Sequence, residues 1–202
     1  MSQPHDKFIH FRTQSSYSML ESTIKVKDLV ALTKKHGMSA VCLSDRGNLF
    51  ASLEFSLEAS KSGIQPICGV ILNISFNNRI SQQDFAEILV IAKDQIGYKN
   101  LLRLVSYSFI KNDRKICNHI SLNDLKKYNE GLIVLSSYTK GIVGKLLLEG
   151  EYEAAKEEAK KLVTIFGNRF YFEIMRHNLA EEKQIELPYL KIANEISIPL
   201  IA

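Results

Sequence analysis

Tryptophan is absent from the 202-residue chain, and its three cysteines, Cys42, Cys68 and Cys117, stand far apart. No C-x-x-C pair offers a zinc knuckle or a redox couple. Cys42 and Cys68 sit inside apolar runs and read as buried thiols, which a reducing cytoplasm would keep free. No apolar run approaches the roughly 18 residues a membrane span needs. The opening Met1-Ser2-Gln3-Pro4-His5-Asp6-Lys7 is polar and has no signal-peptide core. Neither G-x-G-x-x-G nor G-x-x-x-x-G-K-[ST] occurs, which weakens a nucleotide-binding reading. No G-x-S-x-G elbow occurs, and no Ser or Cys has an evident His partner. No helix carries a basic stripe. The net charge of +4 permits contact with nucleic acid without arguing for it. The densest basic segment, Lys111, Arg114 and Lys115, is interrupted by Asp113 and reads first as a solvated loop.

What is present is a steady alternation of strand and helix signals. With 46% hydrophobic and 24% charged residues, the chain can build one substantial core. Short apolar runs predict strands at Phe8–Thr13, Ala40–Ser44, Pro66–Ile74, Glu87–Ala92, Leu132–Leu135, Phe170–Ile174 and Pro199–Ala202. Between them, helical periodicity predicts Val26–His36, Leu49–Ser62, Ile96–Phe109, Gly141–Leu148, Tyr152–Phe166 and Glu181–Ile196. Gly37 and Gly63 follow the first two as C-cap signals. Ser121, with Asp124 three residues on, predicts a capping-box start for a short helix. Glu157 and Lys161 are spaced as an i,i+4 pair. Continuous apolar strands alternating with helices predict a parallel sheet, either doubly wound or closed as a barrel. One α/β domain over 1–202 is the economical organisation. The stop within a strand at Pro199-Leu200-Ile201-Ala202 suggests a fragment.

Three places could carry chemistry. His10, Arg12 and Gln14 alternate on the first predicted strand and are expected to share a face near its C-terminal end. Only His10 is a ligand type there, and a hydrogen-bonded structural role fits it as well. Asp45 closes the second predicted strand; it could bind metal, act as a base, cap the next helix or pair with arginine. Glu173 and His177 end the sixth predicted strand, with metal, acid–base and surface roles all open. Ser15, Ser16 and Ser18, with Tyr17, read as a polar turn.

The run Phe8-Ile9-His10-Phe11-Arg12-Thr13-Gln14-Ser15-Ser16-Tyr17-Ser18-Met19-Leu20 resembles the opening of a known family. That family is the PHP (polymerase and histidinol phosphatase) domain, as it occurs at the N-terminus of bacterial DNA polymerase III alpha subunits. The resemblance continues, in order, through Leu43–Phe50, Gly63–Gly69, Gly97–Leu104, Gly131–Ser136 and Phe172–His177. It implies a distorted (β/α)7 barrel, incomplete at the C-terminal end here, within a far longer replicative polymerase. Polymerase activity and its Mg2+ would reside outside this fragment, so the fragment itself would be inactive in synthesis. Active relatives bind several metal ions and hydrolyse phosphate esters, in some polymerases as a 3′–5′ exonuclease. The family's H-x-H motif falls on Arg12 and Gln14, just after His10. Its D-H motif falls on Asp45 and Arg46. A glutamate position falls on Ile71, and a cysteine or histidine position on Tyr138. A final D-x-H would lie beyond Ala202. Arginine has no lone pair to offer a metal, and isoleucine has no carboxylate. The resemblance therefore implies a degenerate site with no bound metal, in which Arg12 or Arg46 supplies the counter-charge to Asp45 with His10 nearby. The role it implies is a structural or docking domain for a separate proofreading exonuclease subunit and other replicase subunits, with DNA reached through the whole protein. The alternatives are a working metal-dependent phosphoesterase or 3′–5′ exonuclease, and a free-standing α/β protein.

Overall fold

The computed structural model describes residues 8–75, 85–110 and 117–202. The basic segment Lys111, Arg114 and Lys115 lies outside the described residues. The chain divides into two compact units, Met1–Ile71 and Leu72–Ala202. No helix among the described residues is long and apolar enough to cross a membrane.

In the first unit, α1 (Val26–Lys35), β1 (Ala40–Arg46) and α2 (Ser52–Lys61) follow one another, and β2 (Gln65–Ser75) begins. The predicted C-caps form. Gly37, at φ +67°, donates to Lys34 O while Met38 donates to Thr33 O. Gly63, at φ +73°, and Ile64 repeat the pattern on Ser60 and Ala59. This is the Schellman arrangement, in which a left-handed residue lets two amides turn back to the last carbonyls. Strands β1 and β2 pair in parallel, from Ala40 opposite Gln65 to Arg46 opposite Ile71. Val26, Leu29, Val30, Val41, Leu43 and Phe55 bury their apolar faces together.

The predicted first strand is not regular. His10 O accepts from Cys42 N and Thr13 O accepts from Ser44 N, leaving a single parallel bridge between Thr13 and Leu43. The donors are two residues apart on β1, but the acceptors are three apart. The extra residue acts as a bulge. It breaks the alternation that would have set His10, Arg12 and Gln14 on one face.

The second unit holds the end of β2, then β3 (Phe85–Ala92), α3 (Gln95–Ile110), β4 (Ile120–Ser121), α4 (Leu122–Lys127) and β5 (Leu132–Leu135). A 3-10 turn at Tyr138–Lys140 follows, then α5 (Ile142–Leu148), α6 (Tyr152–Phe166), β6 (Phe170–Glu173), α7 (Ala180–Glu195) and β7 (Leu200–Ile201). Its strands run β2-β3-β5-β6-β7, with β4 pairing off β2. The expectation of a wholly parallel sheet fails at β3, which is antiparallel to β5. Residues 76–84 are too few for the crossover of about a dozen residues that parallel neighbours need. Ser121 makes the predicted capping box with Asp124. On α6 the expected Glu157–Lys161 pair is replaced by Lys160–Glu157 and Lys161–Glu158, each at 2.6 Å.

The start of α3 presses on the start of β5. Asp94 accepts from Gly97 N at 2.9 Å, and Lys93 N donates to Gly131 O at 2.8 Å. A Cβ on Gly97 would lie 1.8 Å from Gly131 O, a contact with rigid backbone. Gly97→Ala is therefore expected to cost about 1–3 kcal/mol by overpacking. Urea unfolding of the variant checks this; an unchanged midpoint would contradict the close approach.

Candidate functional site

The first-unit site is built around Asp45, near the C-terminal end of β1 and 2% exposed. Strand β1 is buried on both faces as far as Asp45, so the carboxylate lies away from solvent. Three groups donate to it, each at 2.7 Å: Ser15 N and Ser18 Oγ to Oδ1, and Ser15 Oγ to Oδ2. The proton directions are fixed by the other contacts. Ser18 Oγ accepts from Arg46 N at 3.0 Å, so its own proton goes to Asp45. Ser15 Oγ accepts from Tyr17 N at 3.2 Å and likewise gives its proton to Asp45. An ionised carboxylate offers only acceptors, so every group here is satisfied in one direction. The loop that supplies these donors closes on itself, with Ser18 N on Ser15 O, Ser22 N on Ser18 O and Ser16 N on Ile24 O.

The serine loop supplies these bonds to Asp45. Arg46 turns to Glu21, with Nε donating to Oε1 at 2.5 Å. Gln14 Nε2 donates to the other oxygen of Glu21 at 2.7 Å. One carboxylate that sequence reasoning passed over thus ties together Gln14 and Arg46. Arg12 lies close enough to Cys42 for its charge to favour the thiolate, but burial dominates and pushes that thiol well above its ordinary pKa. His10 is exposed and sets its ring edge-on to Phe8, with centroids 4.8 Å apart. Ile71 is 1% exposed, opposite Arg46 on β2. Asn48 accepts from Phe50 N and donates to Tyr17 O, joining the loop to the entry of α2.

The second unit holds Tyr138, Glu173 and His177. Ser137 and Tyr138 both have positive φ, +61° and +44°. The left-handed region costs an L-residue roughly 1–2 kcal/mol, so packing must hold this turn in place. Gly141 and Gly144 allow that packing: a Cβ there would lie 1.7 Å from Ser136 O and 2.0 Å from Tyr138 O. Tyr138 is fully buried, donates to Glu182 O at 3.1 Å and meets the Tyr189 ring edge-on at 5.1 Å. Glu173 is buried, and its N–H donates to Ser136 Oγ, which also bonds the Tyr189 hydroxyl. His177 is exposed, and Glu182 straps it to α7. Glu182 accepts from His177 N at 2.7 Å and from Leu179 N at 3.1 Å, and its Oε1 lies 2.8 Å from His177 Nδ1. Burial pushes the Glu182 carboxyl up, but the bonds from the His177 ring and from the Leu179 and His177 amides outweigh it and hold the group below its usual range. Among the described residues, no group of three or more His, Cys, Asp or Glu comes together as a metal cage.

Comparison with known sequences matches residues 10–177 to the PHP domain. The chain belongs to the PHP family. Similar proteins include DNA polymerase III subunit alpha of Rickettsia prowazekii, 59% identical over 97% of this chain, and that of Rickettsia bellii, 56% identical over the same share. The subunit of Borreliella burgdorferi is 35% identical, also over 97% of the chain. This chain spans 16% of the length of each Rickettsia relative and 18% of the Borreliella one. Among solved structures, a protein assigned as a metal-dependent phosphoesterase from Bifidobacterium adolescentis superposes with a TM-score of 0.56. It is 11% identical, and the match covers 98% of this chain and 87% of that one. An amidohydrolase from Chromobacterium violaceum gives 0.52 at 12% identity. These likenesses establish the fold as that of the PHP family.

Ser15, Ser18, Glu21 and Glu182 are the site residues that sequence reasoning missed. Serines three apart in a turn can converge on one acceptor, but only the fold shows that the acceptor is Asp45.

Two measurements test this geometry. Asp45→Ala orphans three donors and is expected to cost about 3 kcal/mol, while Arg46→Ala should cost less than about 1 kcal/mol because its pair is part-exposed. Equal losses in urea melts would contradict the assignment. For Glu182 the folded pKa is depressed, so its contribution is present above the unfolded value of about 4.3 and is lost as pH falls through the folded one. Glu182→Gln should therefore destabilise the chain at neutral pH, and its difference from wild type should vanish in acid. A difference that persists in acid would refute the strap.

Proposed function

We propose that this chain is the PHP domain of a replicative DNA polymerase III alpha subunit, and that its metal site has been converted into a structural one. The kinship with alpha subunits over nearly the whole chain supports the first half. The observation that carries the second half is the Asp45 cluster. The carboxylate at the family's D-H position is occupied by two hydroxyls and an amide. The residues at two other ligand positions, Gln14 and Arg46, are bound to Glu21. A guanidinium beside the site repels a cation and cannot ligate it. Ile71 and Tyr138 fill two more positions with buried side chains that present no carboxylate, imidazole or thiolate.

In this reading the domain performs no hydrolysis. It scaffolds the polymerase and docks other replicase subunits, the proofreading exonuclease first among them. DNA synthesis, and the Mg2+ it uses, belong to the rest of the protein.

Elemental analysis of the purified chain, with a phosphodiester hydrolysis assay, tests the conversion. The expected result is well below one equivalent of zinc or manganese and no metal-stimulated hydrolysis. A stoichiometric metal that disappears in Asp45→Ala, with activity disappearing alongside it, would overturn the reading.

A further inference from the structure

Between α3 and the end of α4, the second unit sets two cations on one tyrosine. Arg103 Cζ lies 5.8 Å from the centre of the Tyr128 ring, and Lys127 Nζ lies 5.2 Å from it. Among the described residues, Tyr128 is the one ring that carries two cations at cation–π distance. Its hydroxyl donates to the Tyr107 hydroxyl at 3.0 Å, and the two rings are tilted by 37° with centroids 5.4 Å apart. Asn100, which is 5% exposed, fixes Arg103: Nη1 donates to Asn100 Oδ1 at 3.0 Å, and Asn100 Nδ2 donates to Glu130 O at 2.9 Å. Lys99, Arg103 and Tyr107 stand four residues apart on α3 and share a face. Lys99, Arg103 and Lys127 are exposed, and both tyrosines are half-buried.

Negative charge is scarce on these two helices. α3 contains no Asp or Glu. The one acidic residue of α4, Asp124, is held in the capping box with Ser121. Glu130, exposed, is the remaining carboxylate between α4 and β5. The other cation–ring contacts among the described residues are of a different kind. Arg169, beside Phe166, donates to the carbonyls of Asn129 and Leu132, and Lys191, beside Tyr152, lies 3.9 Å from Glu195. Arg103 and Lys127 form no ion pair among the described residues. Cations fixed on aromatic rings, with little negative charge around them, match a single strand of nucleic acid: phosphates meet the cations and an unpaired base lies against a ring. A duplex keeps its base faces stacked on one another and offers none to a tyrosine.

We infer that Lys99, Arg103, Tyr107, Lys127 and Tyr128 form a binding surface for single-stranded DNA. Arg103 and Lys127 meet its phosphates, and the tyrosine pair stacks on a base. This surface goes beyond the docking role proposed above and is separate from the Asp45 site; only the choice of DNA over RNA rests on the polymerase reading.

The test is fluorescence anisotropy of a labelled oligothymidylate titrated with the chain at several salt concentrations. Arg103→Ala and Lys127→Ala remove exposed side chains and should leave thermal melts close to wild type. Each is expected to weaken binding and to flatten the slope of log affinity against log salt by about 0.7. Tyr128→Leu should weaken binding by at least about fivefold, while Tyr128→Phe, which keeps the ring, should bind within about twofold of wild type. The control is the double change Lys34→Ala with Lys35→Ala, two exposed lysines on α1, which should bind as wild type. No binding by the wild-type chain would overturn the surface and leave the polymerase reading standing. Equal weakening by the α1 control would reduce the binding to diffuse charge and overturn the surface. An abasic deoxyribose-phosphate oligomer, or a duplex, that binds as tightly as oligothymidylate would overturn the stacking and with it the single-strand assignment. Tighter binding of oligouridylate would overturn the choice of DNA and count against the polymerase reading.

Discussion

A carboxylate buried at a strand end must have partners, because an uncompensated charge in a protein interior is costly. Asp45 meets that constraint with three short hydrogen bonds from one loop. The loop has no regular structure of its own. Its conformation depends on this acceptor, on the turn bonds through Ser15 and Ser18, and on the Asn48 link to Tyr17. The path of the chain from the irregular first segment to α1 is therefore set by these contacts together. Here hydroxyl and amide donors satisfy its oxygens by hydrogen bonds, and Arg46 pairs with Glu21.

Under the proposed conversion, substitutions at ligand positions would leave the fold intact: losing a metal ligand removes an interaction, but it need not strand its neighbours. Gln14 and Arg46 find one shared carboxylate. Ile71 joins the core of β2, and Tyr138 fills a packed corner against Tyr189. Each of these residues makes a structural contact, and together they keep a loop and a turn in fixed shapes.

Much of the fold was legible in the sequence because it follows from local rules. The Tyr152–Phe166 helix and the Leu132–Leu135 strand lie where periodicity put them. The Ser121–Asp124 capping box and the two glycine caps formed because each depends on a few adjacent residues. What the sequence hid was set by pairing at a distance. Nothing local shows that β3 runs against β5, or that one extra residue interrupts the ladder beside β1. The choice of partner for Asp45 was hidden for the same reason. The serines that donate to it stand thirty and twenty-seven positions earlier, too far for any local rule to pair them.

The account stands on Asp45 being held by hydroxyls rather than by a cation. Crystals of this chain grown with millimolar Mn2+ or Zn2+, and measured at the metal absorption edge, ask this directly. The account predicts no anomalous peak at Asp45 and Ser15 and Ser18 hydroxyls about 2.7 Å from its oxygens. A strong peak within coordination distance of Asp45, roughly 2.0–2.2 Å for zinc, with the serines displaced, would contradict it.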